Sequence, residues 1–111
     1  MRAVLVEPYK AAQIVDVDPS YESITGIIGG YIESVYHWPE HVVLLCNEEG
    51  KKLNLPISRI LLNEDGGFID TLSGNLLIVA EKDEDYTGLT EKQAAHFKRV
   101  FDQFTISLER S

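Results

Sequence analysis

A chain of 111 residues, 44% hydrophobic and 25% charged, has apolar material for one core and too little length for two, so it reads as one globular domain over 1–111. A formal net charge of -8 argues against direct nucleic-acid contact, which needs clustered Lys and Arg to track phosphates. Apolar runs such as Val42 to Cys46 and Leu76 to Ala80 fall far short of the roughly 20 residues that cross a bilayer, so no membrane span is expected.

The opening MRAVLVEPYK has no signal-peptide core, because Glu7 and Pro8 interrupt its apolar run, and the expected location is cytoplasmic. Ala3 to Val6, a turn at Glu7 to Lys10, and the alternating Gln13 to Val17 predict a first hairpin. Asp18 as N-cap with Pro19 in the first turn then starts a short helix, with Tyr21, Ile24, Ile27 and Ile28 at helical spacing and Gly29-Gly30 as its stop. Tyr31 to Tyr36 and Val42 to Cys46 predict a second hairpin around His37-Trp38-Pro39-Glu40-His41, since proline cannot continue the ladder.

Asn47-Glu48-Glu49-Gly50 and Asn63-Glu64-Asp65-Gly66 read as turns in which glycine adopts positive φ. Leu55 to Leu61 is either a helical turn led by Pro56 or an irregular segment across the sheet. Phe68-Ile69 and Asn75 to Ala80 predict short strands, and 81–88 a charged loop. Thr90 with Gln93 forms a capping box for a last helix over about 90–108, whose stripe of Ala94, Phe97, Val100, Phe101, Phe104 and Leu108 should pack on the sheet. The fold class is therefore α+β: a small mixed or mainly antiparallel sheet built from hairpins, one short helix after the first hairpin, and a C-terminal helix on the sheet.

A symmetric second hairpin sets Glu33 across from Leu45 and Tyr31 across from Asn47, give or take one step, and brings the glycines and the Asn-Glu turn to one end. Glu33 would then project from beside a doubly covered strand and need a partner, with Arg59 the best and Lys51 or Lys52 the looser alternatives. On the functional reading Tyr31, Glu33, Asn47, Glu48, Asn54 and Arg59 line a ligand-binding pocket mouth. On the plainer reading Glu33 lies on a solvent edge, Asn47 caps a turn and Arg59 makes a surface pair.

Metal and cofactor chemistry find little footing. His37 and His41 fall in a Pro-broken turn, His96 has no metal spacing around it, and neither Asp16-Val17-Asp18 nor Glu81 to Asp85 has the pattern of a calcium loop. Cys46, the lone cysteine, excludes an internal disulfide and reads as a buried, unreactive thiol. Gly29-Gly30 ends a helix where a phosphate-cradling loop would open one. No catalytic residue, cofactor or metal is assigned.

Gly29-Gly30-Tyr31-Ile32-Glu33, Cys46 to Lys51 and Leu55-Pro56-x-x-Arg59 resemble a small uncharacterised family of bacteria, phages and plasmids, known only as a domain of unknown function. The resemblance covers about 3–80 and leaves the last helix outside; family members often carry Asn where this chain has Ser58. It implies a compact α+β domain often encoded on mobile elements and brings no established activity, cofactor or catalytic residue. Three functions follow as expectations. The first is a non-enzymatic phage or mobile-element binding module for a small polar ligand or host protein. The second is an enzyme with Glu33 or Glu48 as general base. The third is an acidic inhibitor that mimics nucleic acid.

Overall fold

The computed structural model describes residues 1–108. The first hairpin forms as expected, with β1 (Arg2–Val6) antiparallel to β2 (Gln13–Asp16) and Arg2 opposite Asp16. Helix α1 (Tyr21–Ile28) follows, but its N-cap is Ser20, not Asp18. The Ser20 hydroxyl accepts the Ser23 N–H, while the Asp18 carboxylate accepts the Ser20 N–H one step earlier, so Pro19 stands before the helix instead of in its first turn. Gly29 ends α1 in the left-handed region at φ 85°, where a side chain would be strained.

The second hairpin is β3 (Ile32–Val35) and β4 (Val42–Asn47). Its register is one step from the symmetric expectation: Ile32 faces Asn47 and Glu33 faces Cys46. Every residue of β4 is buried, as its doubly apolar sequence predicts. Segment 57–62, ambiguous in sequence, is a strand, β5 (Ile57–Leu62), paired with β6 (Phe68–Ser73). The segment expected as a charged loop is instead the end of β7 (Leu76–Lys82) and a short return strand, β8 (Asp85–Thr87). Asp83 and Glu84 join them at φ 54° and 68°, the two positive values that a tight two-residue hairpin turn requires.

Helix α2 (Glu91–Phe101) carries the complete Thr90–Gln93 capping box but stops seven residues short of the expected 108. Beyond it β9 (Thr105–Ser107) lies parallel to β5, so the apolar residues after Phe101 follow a strand pattern. Phe97 and Phe101 are buried and Val100 packs against them, whereas Phe104 is about half exposed.

The strands divide between two sheets. The larger runs β2-β1-β7-β4-β3, with β8 also on β7, and all its pairings are antiparallel; the smaller runs β6-β5-β9. Alternation along β4 and β7 splits the core. Val43, Leu45, Leu77 and Val79 face α1, through Ile24 and Ile28. Leu44, Cys46, Ile78 and Ala80 face α2 and the smaller sheet, through Phe97, Phe101, Leu61 and Leu72. Among the described residues no helix is long and apolar enough to cross a membrane.

Candidate functional site

The glycines after α1 and the turn after β4 do meet, and the contact is tight. A Cβ on Gly30 would lie 3.0 Å from Asn47 Nδ2. That amide donates to the Ile28 carbonyl at 3.5 Å, and Asn47 Oδ1 accepts the Glu49 N–H at 2.8 Å, so one buried side chain joins helix end to turn. Asn75, which the sequence did not single out, adds a bond to the Ile27 carbonyl at 3.0 Å. The Glu48 N–H donates to the Tyr31 carbonyl at 2.9 Å, while the Tyr31 ring is exposed. Asn54 sits exposed in the next turn at φ 54°, a left-handed position that asparagine tolerates.

Arg59 is the largest departure from expectation. It is 3% exposed, and its guanidinium bonds three backbone carbonyls: Phe101 at 2.8 Å, Ser58 at 2.7 Å and Lys10 at 2.8 Å. Those bonds tie β5 to the end of α2 and to the first turn, where the carbonyls of a helix end welcome a cation. Burial lowers the Arg59 pKa, and the Asp102 carboxylate partly offsets that.

The expected Glu33 partnership with Arg59 or a turn lysine is absent. Glu33 is exposed on the edge strand β3 and makes no ion pair among the described residues; Lys51 is taken by Asp70. An edge position gives the carboxylate water, which removes the need for a buried cation. Glu33 faces its register partner across a short gap, with Cys46 Sγ 3.7 Å from the Glu33 carbonyl and 4.0 Å from Oε2.

That gap opens into a crevice of about 160 Å³ between the rim of the larger sheet and β6. Glu33, Asn47 and Glu48 line it together with Cys46, Lys51 and Asp70, whereas Tyr31, Asn54 and Arg59 do not. Three of the six candidates therefore share one cavity. Burial, then the Glu33 and Asp70 carboxylates, push the Cys46 thiol up to about 12, so the crevice holds a neutral S–H and no thiolate nucleophile.

A second and larger cavity, about 430 Å³, lies at the opposite end of the same hairpin, between the Trp38–His41 loop and α2. The sequence treated that loop only as a turn. The signal available was the placement of Lys92, His96 and Arg99 at i, i+4 and i+7 of the last helix, one face of it, in a chain otherwise rich in acid.

Over residues 1–104 the chain matches the family described as a domain of unknown function (DUF3846), and it belongs to that family. The match runs past the segment that carries the three motifs and takes in α2. No curated protein and no solved structure matches the chain.

Proposed function

We propose that this member of the DUF3846 family is a non-catalytic binding module of a phage or mobile element, whose crevice between β3–β4 and β6 takes the cationic tip of a small polar ligand or of a host-protein side chain. The observation that carries the reading is Glu33, a carboxylate with no cationic partner among the described residues, set on the wall of a cavity that also carries Glu48 and Asp70. Only one cation, Lys51, lines the same cavity, and Asp70 already holds it. The local field is therefore negative, and an ammonium or guanidinium fits it. At about 160 Å³ the crevice is well below the roughly 300–1,000 Å³ of sites that enclose a whole drug-sized molecule, which favours the end of a ligand over its entirety.

The test is native mass spectrometry of the protein purified from its own host or infected cells, followed by the same measurement on Glu33→Gln. A retained amine- or guanidine-bearing species, or a retained protein, that Glu33→Gln loses at an unchanged melting temperature supports the reading. Retention by the variant equal to that of the unaltered protein overturns it.

A further inference from the structure

The cavity at the far end of the hairpin differs from the crevice in size, lining and sign of charge. Its floor is aromatic. Trp38 is half-buried and stands edge-on to Phe97 at 6.1 Å and 87°, with Phe101 tilted against it at 5.9 Å, so its ring is fixed by the core behind it. Pro39, Val42 and Phe97 complete the apolar part of the lining.

The rim is cationic. Lys92, His96 and Arg99 line the cavity from successive turns of one helix face. Among the described residues Lys10, Lys51 and Lys98 are in ion pairs, and Arg2 and Arg59 are bonded to carbonyls. Of the described cations four are left without a partner, Lys52, Lys82, Lys92 and Arg99, and two of these four line this cavity. Glu40 is the single carboxylate of the lining, and it is engaged by Gln93 Nε2 at 3.4 Å. The Thr90 hydroxyl is likewise occupied, accepting the Gln93 N–H at 3.0 Å, so side chains and not a bare helix end supply the positive charge.

Lys92 and Arg99 are about 10 Å apart along the helix axis, at ~1.5 Å per residue, with His96 between them. A chain of phosphates spans such a row and can engage both side chains at once. A fixed aromatic floor beside such a row, in a cavity within the roughly 300–1,000 Å³ of small-molecule sites, matches a ligand with a flat ring at one end and phosphates at the other. We infer that this cavity binds a nucleoside di- or triphosphate, with the base against Trp38 and Phe97 and the phosphates along Lys92, His96 and Arg99. The overall charge of -8 disfavours a long nucleic acid at the same place, because a polymer would run on over acidic surface.

Trp38 is the only tryptophan, so its fluorescence, excited beyond nucleotide absorption, reports on this cavity alone. Titration of the full chain with ADP and ATP is expected to change that emission saturably. Adenosine, which lacks the phosphates, and tripolyphosphate, which lacks the ring, are each expected to bind at least about tenfold more weakly. Lys92→Gln and Arg99→Gln should each weaken ATP binding by about tenfold, the scale of one charge-assisted hydrogen bond, at an unchanged melting temperature because neither side chain has a partner to lose among the described residues. The inference is overturned by the absence of a saturable response to ATP in both fluorescence and calorimetry, or by unchanged binding in both variants. Tripolyphosphate binding as tightly as ATP also overturns it, since the cavity would then be an anion patch without ring recognition. So does saturable binding of an acidic peptide with none of ATP, which would assign the cavity to a protein segment.

Discussion

The two ends of the β3–β4 hairpin differ in how far the backbone takes up their polar side chains, although Glu33 at the glycine end makes no ion pair among the described residues. At the end that holds the glycines and the Asn-Glu turn, Asn47 is spent on two backbone groups, as Arg59 of β5 is on three carbonyls elsewhere in the fold. At the loop end Lys92 and Arg99 bond nothing among the described residues, and both line a cavity. The first end is conspicuous in the sequence because its chain path demands particular residues. The second is inconspicuous because its two cations, Lys92 and Arg99, take part in no bond of the fold among the described residues. A polar residue that the backbone already saturates explains architecture; one left unpaired beside a cavity is where a ligand would bind.

The largest effect is expected from removing the core cluster that backs both cavities, through Cys46 and Leu72 at one and Val42, Trp38 and Phe97 at the other. Phe101 is fully buried, and Phe97 and Ile106 nearly so, in the core that lies over the larger sheet. A chain ending at Gly88 should therefore fail to give a cooperative unfolding transition, and Phe101→Ala should cost roughly 3–5 kcal/mol in urea denaturation. A soluble truncated chain with an unchanged melting temperature would make α2 an appendage and leave its cavity without a wall.

Next in size is the contrast between Arg59 and Glu33. Arg59→Ala strands the Phe101 and Lys10 carbonyls and empties a buried position, so it should cost at least about 3 kcal/mol. Arg59→Lys, which keeps the charge and loses the fork, should recover part of that loss. Glu33→Gln, on an exposed edge, should move stability by no more than about 0.5 kcal/mol. Equal losses at the two positions, read from denaturation midpoints, would mean that the pair is coupled after all and that the division into architectural and available groups fails here.

Much of the fold was legible because it rests on local rules. The capping box at Thr90 and Gln93, the Gly29 helix stop, the Pro-broken hairpin loop and the doubly apolar β4 all follow from residue chemistry over a few positions. What was not legible depends on partners distant in sequence. The residues after Phe101 continue a helical spacing, yet pairing with β5, more than 40 residues away, makes them a strand. The turn at Asp83 and Glu84 lacks glycine and so carried no hairpin signal. For the site, the sequence put Glu33, Asn47 and Glu48 together, and they share a crevice. It could not show that Arg59 points elsewhere, because its acceptors are carbonyls, which every residue carries.

A smaller effect sharpens the architectural half. Gly30→Ala sets a Cβ 3.0 Å from the Asn47 amide, a contact that forces a shift of a few tenths of an ångström in a buried side chain. The expected loss is about 1 kcal/mol, and Asn47→Ala, which unpairs the Glu49 N–H, should cost about 1–2 kcal/mol. If Asn47 is the whole reason for Gly30, the double variant should lose less than the sum of the two singles in a denaturation cycle. Strict additivity would mean that the glycine answers to something else.

The smallest expected effect is a pH dependence at Asp102, an exposed carboxylate with a structural task. It bonds Lys98 Nζ at 3.0 Å and accepts the Ala12 N–H at 2.9 Å, fastening the first turn to the end of α2 beside Arg59. The bond from Lys98, with smaller help from the Ala12 N–H and from the Lys98 and Arg59 charges, holds its pKa below the ordinary 3.8. A carboxyl whose folded value lies below its unfolded one adds stability that is complete above the unfolded value and is lost as pH falls through the folded one. Asp102→Asn keeps an acceptor for Ala12 but has no charge to titrate. The melting temperature of the unaltered protein should therefore exceed that of the variant by a constant margin at neutral pH, and the margin should shrink only below about pH 4. A margin unchanged down to pH 2, or one that disappears already near pH 6, would show that Asp102 is not the group responsible and that this fastening rests on the Arg59 carbonyl bonds alone.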